Sequence, residues 1–91
     1  MFTGIIQSFG TLESVNNNEN IYTIKTNLNL DDSTVGSSFC CDGVCLTATI
    51  ITKKEFNYYF SVNIGEETIK RSNLIYWYIG NKINIEKSLK V

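Results

Sequence analysis

The chain has 91 residues, a formal net charge of −1 and no histidine, and its 43% hydrophobic content suits the core of one small domain. Its charges are interspersed, without a basic stripe or polybasic run, which argues against nucleic acid or an anionic membrane as partner. No apolar run approaches the ~18 residues of a membrane span and no signal peptide is evident, so we expect a cytoplasmic globular domain.

The first part of the sequence is predicted to form strands separated by polar turns. Residues 5–15 should form one strand, bent at Gly10, and residues 21–28 a second, because both are rich in β-branched and apolar side chains. The short apolar stretch 37–41 is followed by Asp42-Gly43. This pair favours the two-residue type I′ turn of a β-hairpin, in which both residues need a positive φ.

The return strand of this hairpin is predicted over residues 44–52, with two distinct faces. One face should carry Val44, Leu46, Ala48 and Ile50. The other should carry Cys45, Thr47, Thr49 and Ile51. A tight turn at 53–55 is then expected to lead into a strand over 56–64.

The last third of the sequence changes to a helical pattern. Acidic residues precede basic ones over 66–74, the charge order that a short helix favours, and Ile69 and Leu74 can pack inward. The apolar stretch 75–79 is either a strand or a packed loop, and 82–86 alternates as a last strand. Five or six strands with one short helix predict an all-β closed barrel, which leaves no unpaired sheet edge.

All three cysteines lie within the segment 40–45. A structural zinc site usually has four ligands in two separated pairs, and this sequence has neither a second pair nor a histidine. Adjacent cysteines rarely bond to each other, so we predict no metal site and no intramolecular disulfide. The residues alone leave two interpretations open: small apolar fillers, or, for Cys45 beside Thr47, part of a polar wall that binds a ligand.

Four segments, in order, resemble the amino-terminal repeat of the riboflavin synthase family. They are MFTGII at 1–6, CDGVCLT at 41–47, FSVNIGEETIKRSNL at 60–74 and GNKINIEKSLK at 80–90. Together they extend over nearly the whole chain. The resemblance implies a six-stranded Greek-key closed barrel with a short helix, in agreement with the strand pattern.

The resemblance also implies a ligand and a reaction. In this family two molecules of 6,7-dimethyl-8-ribityllumazine dismutate: one gives a four-carbon unit to the other, yielding riboflavin and a pyrimidinedione. No metal and no redox cofactor take part. We therefore expect a role in riboflavin biosynthesis, binding of lumazine and riboflavin, and no cofactor.

Site residues follow from the resemblance position by position. Catalytic roles would fall to Phe2, Ser38 and Cys45. Ligand contacts would come from Thr3, Gly4, Ile5, Ile6, Cys45, Leu46, Thr47, Asn63, Ile64, Gly65, Glu66, Glu67 and Thr68. Cys40 and Cys41 depart from the family pattern and are predicted to be fillers without a role.

The family carries two tandem barrels, and this sequence resembles the first. It is therefore either a shortened piece of a two-barrel chain or a natural single-barrel relative. The resemblance implies a homotrimer for the full-length enzyme; for the isolated barrel we expect a homodimer that binds ligand with little turnover. Two other functions stay open: a non-catalytic lumazine- or flavin-binding antenna protein, and a structural or interaction domain with an empty barrel.

Overall fold

The computed structural model describes residues 8–88 of the chain. Within them, six strands form: β1 (Ser8–Asn16), β2 (Ile21–Thr26), β3 (Ser38–Cys41), β4 (Val44–Lys54), β5 (Asn57–Asn63) and β6 (Lys82–Lys87). The helix α1 (Glu66–Arg71) and a 3₁₀ segment (Asn73–Tyr76) lie between β5 and β6. No helix in this part of the chain has the length and apolar character needed to cross a membrane.

The strands close into one antiparallel barrel in the order β1-β2-β5-β4-β3-β6, with β6 pairing back onto β1. Strands β3, β4 and β5 are consecutive neighbours, and β2 pairs with β5 rather than with β3. This arrangement is a Greek key. The predicted six-stranded closed barrel is confirmed.

Apolar side chains from all six strands fill the inside of the barrel. Phe39 and Phe60 are fully buried and stack with their ring centroids 4.4 Å apart. The other four strands, β1, β2, β4 and β6, contribute Leu12, Ile24, Leu46, Ala48, Ile83 and Ile85. Gly10 is needed for this packing, because a Cβ at that position would lie 2.5 Å from the Ile85 side chain.

The predicted faces of β4 are right as far as Ala48 and wrong beyond it. The pairing with β5 shifts register between Ala48 and Ile50, so Thr49 is an extra residue in this strand. Because side chains alternate along a strand, one extra residue exchanges the two faces. Ile50 is consequently 50% exposed, whereas Ile51, which was predicted to share a face with Cys45 and Thr47, packs against the core.

Some element boundaries also differ from the prediction. Strand β4 continues through Lys54, so the turn that follows it lies at Glu55-Phe56 instead of 53–55. Helix α1 ends three residues before the predicted end at 74, and Leu74 is buried in the 3₁₀ segment. The stretch 75–79 is neither a strand nor a packed loop: it completes the 3₁₀ segment and continues as a loop in which Trp77 packs against the core and the other side chains are exposed.

Candidate functional site

The β3–β4 hairpin has an outer face made of hydroxyl and thiol groups. Its turn has φ values of 48° at Asp42 and 87° at Gly43, as a type I′ turn requires. In the hairpin Ser38 is paired with Thr47, and Cys40 with Cys45. Residues directly opposite each other point to the same side of a sheet. Cys45 and Thr47 are exposed, and the other two side chains are partly exposed.

The strand registers extend this outer face onto β5. Ala48 pairs with Val62 in the β4–β5 ladder, and both side chains are buried. Thr47 and Asn63 are the next residues along these two strands, directly past the last pair of the ladder, and both are exposed. Ser38, Thr47 and Asn63 therefore form a polar row across three neighbouring strands, hereafter the polar row.

The backbone next to the polar row is open at Gly65. This residue has an extended conformation, with φ −67° and ψ 156°, and a Cβ built there would meet no atom within 4 Å. It precedes α1, whose first turn has no side-chain cap. The preceding residue, Ile64, is buried, and its N–H donates to the Asn20 carbonyl at 2.9 Å. A flat ligand could thus approach the backbone closely at Gly65.

The other predicted site residues of the hairpin and helix divide into buried and exposed ones. Leu46 is 6% exposed within the core, so it can offer a ligand only its backbone groups. Glu66, Glu67 and Thr68 are exposed on α1. The carboxylate of Glu67 forms an ion pair of 2.9 Å with Arg71 on the helix surface.

The turn of the hairpin is anchored by Asp42, a role that the sequence did not reveal. The Asp42 carboxylate accepts hydrogen bonds from the indole Nε1 of Trp77 at 2.9 Å and from the backbone N–H of Asn84 at 2.8 Å. The Asp42 N–H donates to the Asn84 carbonyl at 2.9 Å, and the Asp42 carbonyl accepts from Asn73 at 3.3 Å. The turn is therefore fixed to both β6 and the 3₁₀ segment. The Asp-Gly signal indicated only the turn itself.

The three cysteines are free thiols in different surroundings. Cys41 is fully buried in the core, where burial strongly raises its pKa, in agreement with its prediction as a filler. Cys40 lies on the outer face of the hairpin, so describing it as a core filler was wrong. Burial, followed by the nearby Glu86 carboxylate, raises the pKa of Cys40. Within residues 8–88, no three His, Cys, Asp or Glu side chains are grouped to hold a metal ion.

Two of the grooves on the described surface include no residue of the polar row. The smaller, of about 220 Å³, is lined by Asn17, Asn20, Tyr22, Glu66, Ile69 and Lys70. The larger, of about 550 Å³, lies around β1 and β2 and includes none of the predicted site residues. The predicted contributions of Phe2, Thr3, Gly4, Ile5 and Ile6 fall outside the described residues.

The sequence is similar to a known family and to several curated proteins. A family model described as the lumazine binding domain matches residues 3–88. The riboflavin synthase of Brucella abortus is 36% identical over 94 residues, covering 100% of this chain and 46% of that protein. The riboflavin synthases of Bacillus subtilis and Saccharomyces cerevisiae are 37% and 38% identical, and each match covers 98% of this chain and 40% of the relative. The chain thus spans less than half the length of these relatives.

Proposed function

The chain belongs to the lumazine-binding domain family, and from this we propose that it binds 6,7-dimethyl-8-ribityllumazine and riboflavin as the first barrel of a riboflavin synthase. The observation that carries the proposal is the polar row, which continues from the Cys45 side of the hairpin to the open backbone at Gly65. This surface has the polar groups that a hydroxylated, heteroaromatic ligand needs.

The chemistry of the ligand fits these groups. A lumazine ring has alternating hydrogen-bond donors and acceptors along its edge, and its ribityl chain carries hydroxyls. The hydroxyls of Ser38 and Thr47 can each donate and accept, and the amide of Asn63, whose Nδ2 donates one hydrogen bond to the Glu19 carbonyl, still offers its oxygen and a second N–H. The thiol of Cys45 is exposed on the same face. We place the ring edge against the hairpin and the flat of the ligand near Gly65.

The proposed reaction needs two ligands at once. One lumazine loses a four-carbon unit and becomes the pyrimidinedione, while the other gains that unit and becomes riboflavin. Holding the two molecules in a reactive orientation is a large part of the catalysis that such a site can supply. Cys45 and Ser38 would contact the ligand of this barrel, and Phe2 keeps its predicted catalytic role from outside the described residues.

A single barrel would hold only one of the two ligands. We therefore propose that the 91-residue chain by itself pairs with a second copy as a homodimer and binds ligand with little turnover. The transferase activity would belong to the two-barrel protein, in which a second barrel completes the site and the chains form a homotrimer.

A direct experiment is to mix the chain with 6,7-dimethyl-8-ribityllumazine and record absorbance spectra over time. We expect a spectral change on binding that saturates at one ligand per barrel, followed by slow or negligible formation of riboflavin. Riboflavin formation at the rate of a two-barrel homologue would contradict the proposed need for a second barrel. Absence of binding by both lumazine and riboflavin would contradict the proposed function.

A further inference from the structure

The hairpin register brings Cys40 and Cys45 directly opposite each other. The Ala48 N–H donates to the Ser37 carbonyl at 2.9 Å, and hydrogen-bonded and non-hydrogen-bonded pairs alternate along an antiparallel ladder. Ser37 and Ala48 are a hydrogen-bonded pair, and Cys40 and Cys45 are the third pair after it. Cys40 and Cys45 are therefore a non-hydrogen-bonded pair, for which the Cα atoms are typically ~4.5 Å apart. Disulfides join residues whose Cα atoms are about 4.4–6.8 Å apart. The backbone therefore already has a spacing that a disulfide can bridge.

The positions of the side chains separate this pair from the third cysteine. Cys45 is exposed and Cys40 is partly exposed on the same outer face, and both are free thiols. Cys41 is fully buried on the opposite side of the strand. The expectation of no intramolecular disulfide considered adjacent cysteines, whereas the pair that the fold brings together is separated by the turn.

The turn between the two cysteines is also held in place. Asp42, which follows β3 in the turn, is fixed by hydrogen bonds to Asn84 and Trp77, so the end of the hairpin next to the pair is held against the rest of the barrel. If the Cys45 sulfur reacts with a disulfide reagent, the Cys40 thiol already lies opposite it, and the barrel need not rearrange for the two sulfurs to bond. The loop that the bond would close is short, so the bond would add little to global stability. A disulfide between Cys40 and Cys45 is therefore better suited to reversible modification than to stabilising the fold.

We propose that Cys40 and Cys45 are a redox modification site, in which a low-molecular-weight disulfide of the glutathione type converts the two thiols into a cross-strand disulfide. In the first step the deprotonated Cys45 sulfur attacks one sulfur of the reagent, the reagent's S–S bond breaks, and one thiol leaves after taking up a proton. Cys40 then gives up its proton and attacks the Cys45 sulfur, which displaces the second thiol. Two protein thiols are oxidised and one reagent disulfide is reduced to two thiols.

This modification would regulate ligand binding, a consequence that rests on the proposed function. Cys45 lies two positions before Thr47 on the same face, so a bond to Cys40 removes its thiol from contact with a ligand. The cross-link also fixes the Cys45 side chain toward β3. We expect the oxidised chain to bind riboflavin about tenfold or more weakly than the reduced chain.

The cross-link can be tested by incubating the whole chain with oxidised glutathione, followed by intact mass measurement and mapping of alkylated peptides. We expect the loss of two hydrogen atoms, a link between Cys40 and Cys45, and full reversal by dithiothreitol. Cys40→Ser should instead stop at a glutathione adduct on Cys45, and Cys41→Ala should still form the link. A wild-type chain that keeps the adduct on Cys45, or a link that includes Cys41, would overturn the proposal.

The regulatory consequence is tested by riboflavin titration of the reduced and the cross-linked wild-type chain. A weaker affinity that dithiothreitol restores supports the regulatory role. Equal affinities in both forms would overturn that role. A reduced chain that does not bind riboflavin would overturn the proposed function, and the peptide map would still decide whether the cross-link forms.

Discussion

The two turns that flank β4 have a similar backbone requirement and very different surroundings. Asp42 and Glu55 both have a positive φ, 48° and 58° respectively. The Asp42 carboxylate is held by Asn84 on β6 and by Trp77, which directly follows the 3₁₀ segment. At the other turn, Phe56 follows Glu55 and is 91% exposed.

This difference agrees with the proposed binding of a ligand at the hairpin end of β4. The anchored turn adjoins the outer face that carries Cys45 and Thr47, where the proposed ligand would need groups in fixed positions. The second turn follows the extra residue Thr49 and lies at the far end of the strand. Its role is to connect β4 with β5.

The largest expected effect is the loss of the anchor. Asp42→Ala should lower the free energy of unfolding by about 2–4 kcal/mol more than Glu55→Ala, since the Trp77 and Asn84 donors lose a charged acceptor. Both variants place alanine at a positive φ, a conformation that aspartate tolerates better than glutamate, so the backbone contributes a small part of the difference. Urea denaturation measures the difference. Equal losses in the two variants would show that the anchor contributes nothing.

The two ends of β4 should also differ in ligand binding. Thr47→Val removes a hydroxyl from the polar row and should weaken riboflavin binding by ~1–3 kcal/mol, because a ligand group then loses its partner. Thr52→Val is the matched control, an exposed position beyond the extra residue on the same strand. It should leave the affinity unchanged. A fluorescence titration in which both variants match the wild type would contradict the placement of the ligand at the polar row.

A smaller effect is expected when one hydrogen bond of the anchor is removed. Trp77→Phe keeps an aromatic ring but removes the N–H that donates to Asp42, and should cost about 1–2 kcal/mol of stability. Tyr78→Phe removes a hydroxyl from a side chain that is 68% exposed, and should change stability by less than ~0.5 kcal/mol. Thermal unfolding of the two variants under the same conditions provides the comparison. If the Trp77 variant is as stable as the Tyr78 variant, the hydrogen bond from Trp77 to Asp42 contributes no measurable stability.

The smallest effect is expected from glycine at the free turn. In Glu55→Gly, glycine adopts the positive φ without steric strain, which stabilises the folded state, but it also makes the unfolded chain more flexible. Because the two effects oppose each other, the free energy of unfolding should change by no more than ~0.5 kcal/mol. Asp42→Gly likewise removes the steric strain of the positive φ, but it also removes the carboxylate that accepts from Trp77 and Asn84. Its free energy of unfolding should therefore fall by more than that of Glu55→Gly. Denaturation midpoints that fall equally in both variants would mean that the two turns are equivalent.

Much of the fold could be predicted because its determinants are local. Alternating apolar residues, the Asp42-Gly43 pair and the charge order of α1 predicted the strands, the hairpin turn and the helix start. The exposure of Ile50 could not be predicted, since the extra residue Thr49 is defined only by the pairing of β4 with β5. An alternation pattern in one strand carries no information about its partner's register.

The candidate site was predictable to a lesser extent. Alternation put Cys45 and Thr47 on one face, and the family resemblance added Ser38 and Asn63. The Asp42 anchor depends on partners 31 to 42 residues away along the chain, so no local pattern indicates it. The exposure of Cys40 likewise follows from the fold, because an apolar stretch before a turn does not say which of two adjacent cysteines points inward.

An amide NMR titration of the chain with riboflavin tests most directly whether the ligand binds on the anchored hairpin. We predict that the largest chemical-shift changes occur at the polar row, in the backbone at Cys45, and at Gly65. Amides at the Glu55-Phe56 turn should stay unchanged. Shift changes concentrated in the groove around β1 and β2, or at the Glu55-Phe56 turn, would contradict the placement of the binding site on the anchored hairpin.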